Sequence, residues 1–297
     1  MCGFPKNLVY VLVDLVCVLI VALPIVILKF AGTPTQRGFF CDDQTISYPF
    51  HESTVPTWML VIFGGGIPLI CMLVGEAVFI HRSSKSEGEE TKKFPLCPYF
   101  VRIYKTVGIF LFGTLANQCL TDVFKFTIGR LRPNFLSVCA PDYSTFNCTD
   151  AMGRYVYVTD YVCTGDPSEI KESRLSFISG HASMSFFFMV YLVLYLQVRI
   201  KWRQSWLLKP FLQVLAVILA QLTMLSRIND NKHHWSDVLT GSVLGTFMAL
   251  LVFIQISDIL KLGKVKKDPA IEEEELIGND SDGSVSLRPL SQDLAED

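Results

Sequence analysis

The sequence predicts an all-α, polytopic membrane protein with six transmembrane helices. Of 297 residues, 51% are hydrophobic, mean hydropathy is +0.39, and several apolar runs approach the ~20 residues that cross a hydrocarbon layer. Those two observations exclude a soluble globular domain. A net charge of −2, with no helix-turn-helix, zinc-finger or RNA-binding signature, gives no support to nucleic acid as a partner.

The six spans are read as Leu8 to Leu28, Pro56 to Ile80, Tyr104 to Phe124, Ala182 to Gln197, Leu207 to Leu225 and Val238 to Leu260. The first is too long, and too poor in small-residue cleavage positions, for a removable signal peptide, so it reads as a retained anchor. Ala182 to Gln197 is short by itself. Arg174 to His181 is expected to extend its outer end as an interfacial turn, and modest mismatch is tolerated. Four or five spans are the alternative counts.

Orientation follows from the Lys and Arg residues flanking these runs. Arg199, Lys201, Arg203 and Lys209, the segment Arg82 to Arg102, and Lys261, Lys264, Lys266 and Lys267 all fall on one side, which is expected to be cytosolic. The opposite side receives Ala31 to Val55, Leu131 to Ile178 and Ile228 to Asp237. It also carries Asn147-Cys148-Thr149, a glycosylation sequon with meaning only if translocated. Cys41, Cys139, Cys148 and Cys163 lie there too, where an oxidising compartment permits disulfides; four cysteines allow three connectivities, and the sequence does not choose among them. Cys17, Cys71 and Cys119 sit within spans and read as small apolar packers.

Two parts are expected along the chain: residues 1–262 as a six-helix membrane domain and residues 263–297 as a disordered, acidic cytosolic tail. After Lys267 come Glu272 to Glu275, then Asp, Ser, Gly and Pro with few aromatics, a composition that cannot bury a core.

Three short stretches at the outer ends of spans carry the chemistry. Lys125 and Arg132-Pro133 are separated by seven residues, nearly two helical turns, which would return both cations to one face. Taken alone, Lys125 and Arg130 read better as residues that snorkel to the interface, and that reading loses force because two other motifs reach the same membrane face. Ser179-Gly180-His181 precedes an apolar helix, so Ser179 is placed as an N-cap and the unpaired amides of the first turn favour an anion. Gly180 lets an oxygen approach the backbone, and His181 is suited to giving a proton near neutrality. A plain helix cap with a surface histidine is the competing reading.

Ser226-Arg227 is followed by His233, with Asp237 at i+4, a spacing that shares a helix face. Asp237 is expected to accept the Nδ1 proton of His233 and leave Nε2 with its lone pair. His234 is rotated about 100° away. As an alternative, His233 and Asp237 form only a polar pair at a helix start. No Cys-x-x-Cys or His-Glu-x-x-His occurs, and no Asp-x-Asp lies in the three motifs, to suggest a metal site there, and three cations would repel one. Three cations, two histidines and a carboxylate suit phosphoryl transfer from a phosphomonoester, where catalysis is largely positioning and charge neutralisation.

Lys-x6-Arg-Pro, Ser-Gly-His and Ser-Arg-x5-His-x3-Asp resemble the signature of the type-2 phosphatidic acid phosphatase superfamily. The stretches Ile128 to Pro133, Arg174 to Phe177 and Lys232 to Gly241 are similar to animal lipid phosphate phosphatases, and the resemblance covers roughly residues 1 to 262. One departure is Ile178, where the wider superfamily has Pro; it does not touch the phosphate chemistry. The resemblance implies that Lys125, Arg132 and Arg227, with Ser179 and the Gly180 amide, hold phosphate. It implies that His233, oriented by Asp237, attacks phosphorus while His181 protonates the leaving alkoxide, with no metal or cofactor. Phosphatidate, lysophosphatidate, ceramide 1-phosphate and sphingosine 1-phosphate are the implied substrates, presented from the bilayer. The implied location is the plasma membrane with an extracellular active site, with endosomal, Golgi and endoplasmic reticulum membranes as further sites; homo-oligomerisation stays open. Two alternatives remain: a catalytically weak scaffold or lipid-binding protein of the same fold, and a phosphatase of soluble phosphoesters such as glucose-6-phosphatase.

Overall fold

The computed structural model describes residues 8–86, 96–199 and 205–261. The helix α1 spans Leu8–Ala31; α2 (Thr57–Met59) runs through a π-helical turn at Leu60–Gly65 into α3 (Gly66–Ser86); α4 spans Leu96–Ile128. Two short helices, α5 (Phe135–Cys139) and α6 (Pro167–Ser173), precede α7 (Gly180–Arg199), α8 (Leu208–Asn229) and α9 (Trp235–Lys261). Six segments are long and apolar enough to cross a membrane: Val9–Ala31, Thr57–Arg82, Tyr99–Ile128, Gly180–Arg199, Leu208–Asn229 and Trp235–Gln255. The six-span, all-α expectation therefore holds, including the short fourth span. Its outer extension is not the turn expected from Arg174 to His181, because the helix begins only at Gly180. The expected tail, 263–297, lies outside the described residues.

Packing makes α7 the axis of the bundle. In its most apolar window 61% of residues are buried, against none in α1, which faces outward along its length. Phe187, Phe188, Tyr191, Leu192 and Tyr195 of α7 meet Phe110, Ala216, Ala249, Val252 and Phe253 in one core. The Phe110 and Phe187 rings stack at 5.8 Å, and Tyr191 lies 5.0 Å from Phe110. Lipid removes the hydrophobic drive between helices, so such interlocking and close backbone approach must hold them together. Gly241 and Gly245, one turn apart on α9, permit that approach. A Cβ at Gly241 would lie 2.6 Å from the Ser179 carbonyl oxygen, and one at Gly245 would lie 2.0 Å from that of Ser183.

At the end of the bundle away from the motifs, fully buried Glu76 accepts from Arg102 Nε at 2.8 Å, from Arg199 Nη2 at 2.7 Å and from Tyr195 Oη at 3.1 Å. The Phe79 ring receives both guanidinium groups, at 4.8 and 4.2 Å. Arg102 and Arg199, counted among the surface charges that orient the chain, are thus also a structural clamp joining three spans. A buried carboxylate is tolerable only with such partners.

The other end carries a cap of irregular chain. Among the described residues it has no strand, only the isolated bridges Phe39–Val158, Pro141–Cys163 and Thr149–Tyr155. Two disulfides select one of the three connectivities: Cys41–Cys148 and Cys139–Cys163, with Cα separations of 5.7 and 4.7 Å. Phe39, Ile46, Leu131 and Phe135 form a small core there with Phe146 and Tyr161 against it. Asn147, beside the bridged Cys148, is exposed.

Gly245→Ala should destabilise the detergent-solubilised protein by about 1–3 kcal/mol, because the added methyl meets backbone that cannot yield. Gly108→Ala, whose Cβ meets nothing within 4 Å, should be neutral or slightly stabilising. Thermal unfolding of the two variants side by side checks this.

Candidate active site

The three motifs come together at the cap end of α4, α7, α8 and α9. The helix α4 stops at Ile128 because Gly129 takes φ +58°, with its N–H closing on the Lys125 carbonyl at 3.0 Å, a left-handed helix end that suits glycine. Arg132 therefore lies beyond the helix, and the two-turn face expected to join it to Lys125 does not exist. A turn does that work instead: the Arg132 N–H donates to the Ser173 carbonyl at 2.8 Å, and Nη2 to Glu172 Oε2 at 2.8 Å. Lys125, in the last turn of α4, places Nζ 3.5 Å from where a Cβ on Gly180 would stand.

Ser179 stands just before α7 as expected of a cap, its Oγ accepting from the Ala182 N–H at 3.4 Å and its carbonyl from Ser183 at 3.0 Å. Its own N–H donates to the Asp237 carbonyl at 3.1 Å, tying the first turn of α7 to that of α9. His181 follows in that first turn.

Arg227 ends α8 and is almost wholly buried. Nη1 donates to the Val55 carbonyl at 3.2 Å and Nη2 to Ser53 Oγ at 3.2 Å. Asp230 fastens the same segment, accepting from Thr54 N at 2.8 Å and Thr54 Oγ1 at 2.6 Å. The Arg227 carbonyl accepts from the N–H groups of Lys232 and His233, so a compact turn carries His233 back over the site.

The His233 ring is buried, with Nδ1 2.7 Å from the Ser176 carbonyl oxygen. A carbonyl only accepts, so Nδ1 bears the proton and Nε2 keeps the lone pair. The expected acceptor, Asp237, is 4.0 Å away. The i+4 argument fails because α9 starts at Trp235, leaving His233 outside the helix. Asp237 is the third residue of α9, and its carboxylate turns back to accept from the His234 N–H at 3.1 Å, the reciprocal half of a capping box. It also accepts from Ser176 Oγ at 2.5 Å and Arg130 Nη1 at 2.5 Å, with His234 Nδ1 at 3.2 Å.

Burial pushes the His233 imidazole well below its usual pKa, and Arg132, Lys125, Arg227 and then His181 push it further. The ring is therefore neutral at physiological pH. Among the described residues, three buried nitrogens have no protein partner, and each comes from a different motif: Arg132 Nε, Arg227 Nε and His181 Nε2. Such groups are costly unless a ligand meets them. The arrangement brings a neutral imidazole with a lone pair, a second imidazole, an ammonium and guanidinium donors close enough to act on one another.

Sequence reasoning missed Lys232, Arg130, Ser176 and the Ser53–Val55 segment. Lys232 is buried with Nζ 3.7 Å from the Phe50 ring, and burial, then Arg132, holds its pKa below the usual lysine range. Its place directly before His233 was the available signal.

Residues 106–261 match the model of the PAP2 superfamily. Phospholipid phosphatase 1 of Mus musculus is 44% identical over 259 residues, covering 86% of this chain and 87% of that protein. A putative phosphatidate phosphatase of Drosophila melanogaster is 42% identical, covering 85% and 70%; phospholipid phosphatase 2 of Bos taurus is 41% identical, covering 91% and 90%. No solved structure matches at a significant level. The chain belongs to the PAP2 superfamily and, within it, to the phospholipid phosphatases.

Histidine-labelled protein should show, by 15N NMR, one ring that stays neutral and protonated on Nδ1 as pH falls through 6.5, and the signal should vanish in His233→Ala. A lowered pKa preserves the neutral form to lower pH, so protonation of this ring at or above pH 6.5 would contradict the burial argument.

Proposed function

We propose that the protein is an integral-membrane phosphatase that removes phosphate from lipid phosphomonoesters through a phosphohistidine. The observation that carries the reading is the set of three partnerless nitrogens beside a neutral, buried imidazole. Lys125, Arg132 and Arg227, with Ser179 and the Gly180 amide, hold the non-bridging oxygens. His233 Nε2 attacks phosphorus in line, and the P–O bond to the lipid breaks as His181 gives its proton to the departing alkoxide. Water, deprotonated by His181, then cleaves the N–P bond and releases inorganic phosphate.

In this reading the fixed cations neutralise the charge that a divalent metal would otherwise neutralise. Lipid substrates are supported by the names of the relatives and by the position of the motifs at helix ends, where acyl chains can remain in the bilayer. Phosphatidate, lysophosphatidate, ceramide 1-phosphate and sphingosine 1-phosphate share the required phosphomonoester. A location at the plasma membrane with an outward-facing site is supported by the disulfides and the exposed sequon residue Asn147, which lie on the motif-bearing side.

Purified protein in EDTA should release phosphate from phosphatidate dispersed in detergent and not from glucose 6-phosphate. Vanadate should inhibit, as an analogue of the trigonal-bipyramidal transition state. His233→Ala should lower the rate by about a thousandfold or more, and acid-labile, alkali-stable phosphate should be trapped on wild type and not on this variant. Trapping on His233→Ala would reverse the roles of the two histidines; full dependence on magnesium would sink the metal-free mechanism.

Intact cells should hydrolyse lysophosphatidate supplied outside without taking it up, and Asn147→Gln should abolish a glycan-dependent mobility shift. Activity seen only after permeabilisation would place the site on an internal membrane or on the opposite face.

A further inference from the structure

Between Asp237 and His233 stands Ser176, a wholly buried residue whose three polar groups are all engaged. Its N–H donates to the Arg130 carbonyl at 3.0 Å, its hydroxyl to Asp237 Oδ2 at 2.5 Å, and its carbonyl accepts the His233 Nδ1 proton at 2.7 Å. Arg130 closes the ring by donating Nη1 to Asp237 Oδ1 at 2.5 Å and to Ser236 Oγ at 2.8 Å. Residue 176 is thus held at both its amide and its hydroxyl, which leaves one direction for its carbonyl. In a buried network each bond is stronger than in water, and a missing one is felt by the rest.

A peptide carbonyl selects the Nδ1-protonated tautomer as a carboxylate would, without placing a negative charge against the ring. That difference matters here. Lys125, Arg132, Arg227 and His181 act on the ring from the phosphate side, and a carboxylate in contact on the other side would favour the protonated, non-nucleophilic form. Arg130, Ser176 and His234 instead absorb the charge of Asp237 while its mechanical effect reaches the ring.

We propose that Ser176 and Arg130 are positioning residues for His233, and that Asp237 acts on the imidazole through the Ser176 hydroxyl and backbone and not by direct contact. The inference rests on the reading of His233 as nucleophile.

The test compares Ser176→Ala, Asp237→Asn, their double variant, Arg130→Ala and His233→Ala in detergent, with phosphatidate as substrate and vanadate binding as the check that the anion pocket is formed. Each of the first two should lower kcat about 10- to 100-fold, the range for removing a group that orients a functional histidine, with KM and vanadate affinity within about twofold of wild type. The double variant should lose no more than the worse single one, because both substitutions cut the same link. In Ser176→Ala the 15N signal of His233 should show mixed tautomers. If Ser176→Ala does not bind vanadate, Arg130→Ala takes its place: its side chain is 37% exposed, and it should show the same loss in kcat with KM kept. Multiplying losses in the double variant, or a wild-type kcat in Ser176→Ala or Arg130→Ala while His233→Ala is dead, would overturn the relay and leave the nucleophile standing. An active His233→Ala would overturn the nucleophile and the relay with it.

Discussion

Everything at the site depends on how closely α9 lies against α7. The Ser179 and Ser183 carbonyls occupy space that any side chain at Gly241 or Gly245 would need, so the two backbones fix one another in register. The upper end of that contact is the bond from Ser179 N–H to the Asp237 carbonyl. It sets the first turn of α7 beside the turn that precedes α9. Lys125 then reaches Gly180, and His233 reaches Ser176, only because those two helix starts are already adjacent. In a bilayer this is the economical way to organise a polar site, since backbone proximity does not depend on excluding water.

Charge is distributed unequally between the ends of the bundle. At one end Glu76 is enclosed by Arg102, Arg199 and Tyr195, and the cluster is structural. At the other, carboxylates are engaged by the protein: Glu172 takes one side of Arg132, Asp230 is fastened to Thr54 and Arg227, and Asp237 is saturated by Arg130, Ser176 and His234. Arg132 and Arg227 each keep a buried Nε without a protein partner, as the proposed binding of phosphate requires. Preorganised donors of this kind cost no rearrangement at the moment of reaction, which is where electrostatic catalysis gains its advantage.

The spans were legible because hydropathy and length are properties of contiguous sequence. Phosphate chemistry restricts which residue types can serve, which singles out Lys125, Arg132, Ser179, His181, Arg227 and His233 as candidates, and the fold brings them to one end of the bundle. Periodicity arguments failed wherever they assumed an unbroken helix. A helical period puts Lys125 and Arg132 on one face, but Gly129 ends α4 between them; it pairs His233 with Asp237, but α9 begins after the first of the two. Partner choice was invisible for a different reason. The disulfide pairing, the engagement of Arg102 and Arg199 by Glu76, and the Ser176 carbonyl opposite His233 are decided by tertiary approach across 24 to 123 residues of sequence. No local pattern encodes those distances.

The Cys41–Cys148 bridge joins chain segments separated by 107 residues and by two membrane crossings. Cys41 reaches its compartment with the first outer segment and must wait there as a thiol while the ribosome completes both crossings. At ordinary elongation rates that interval is about 5 to 20 s. Cys139 and Cys163, 24 residues apart, arrive almost together after Cys41 is already exposed. Biosynthesis therefore presents a lone early thiol to two later candidates before its proper partner has been distinguished from them by folding. Correct oxidation of this chain is a pairing problem whose solution is the assembled cap itself.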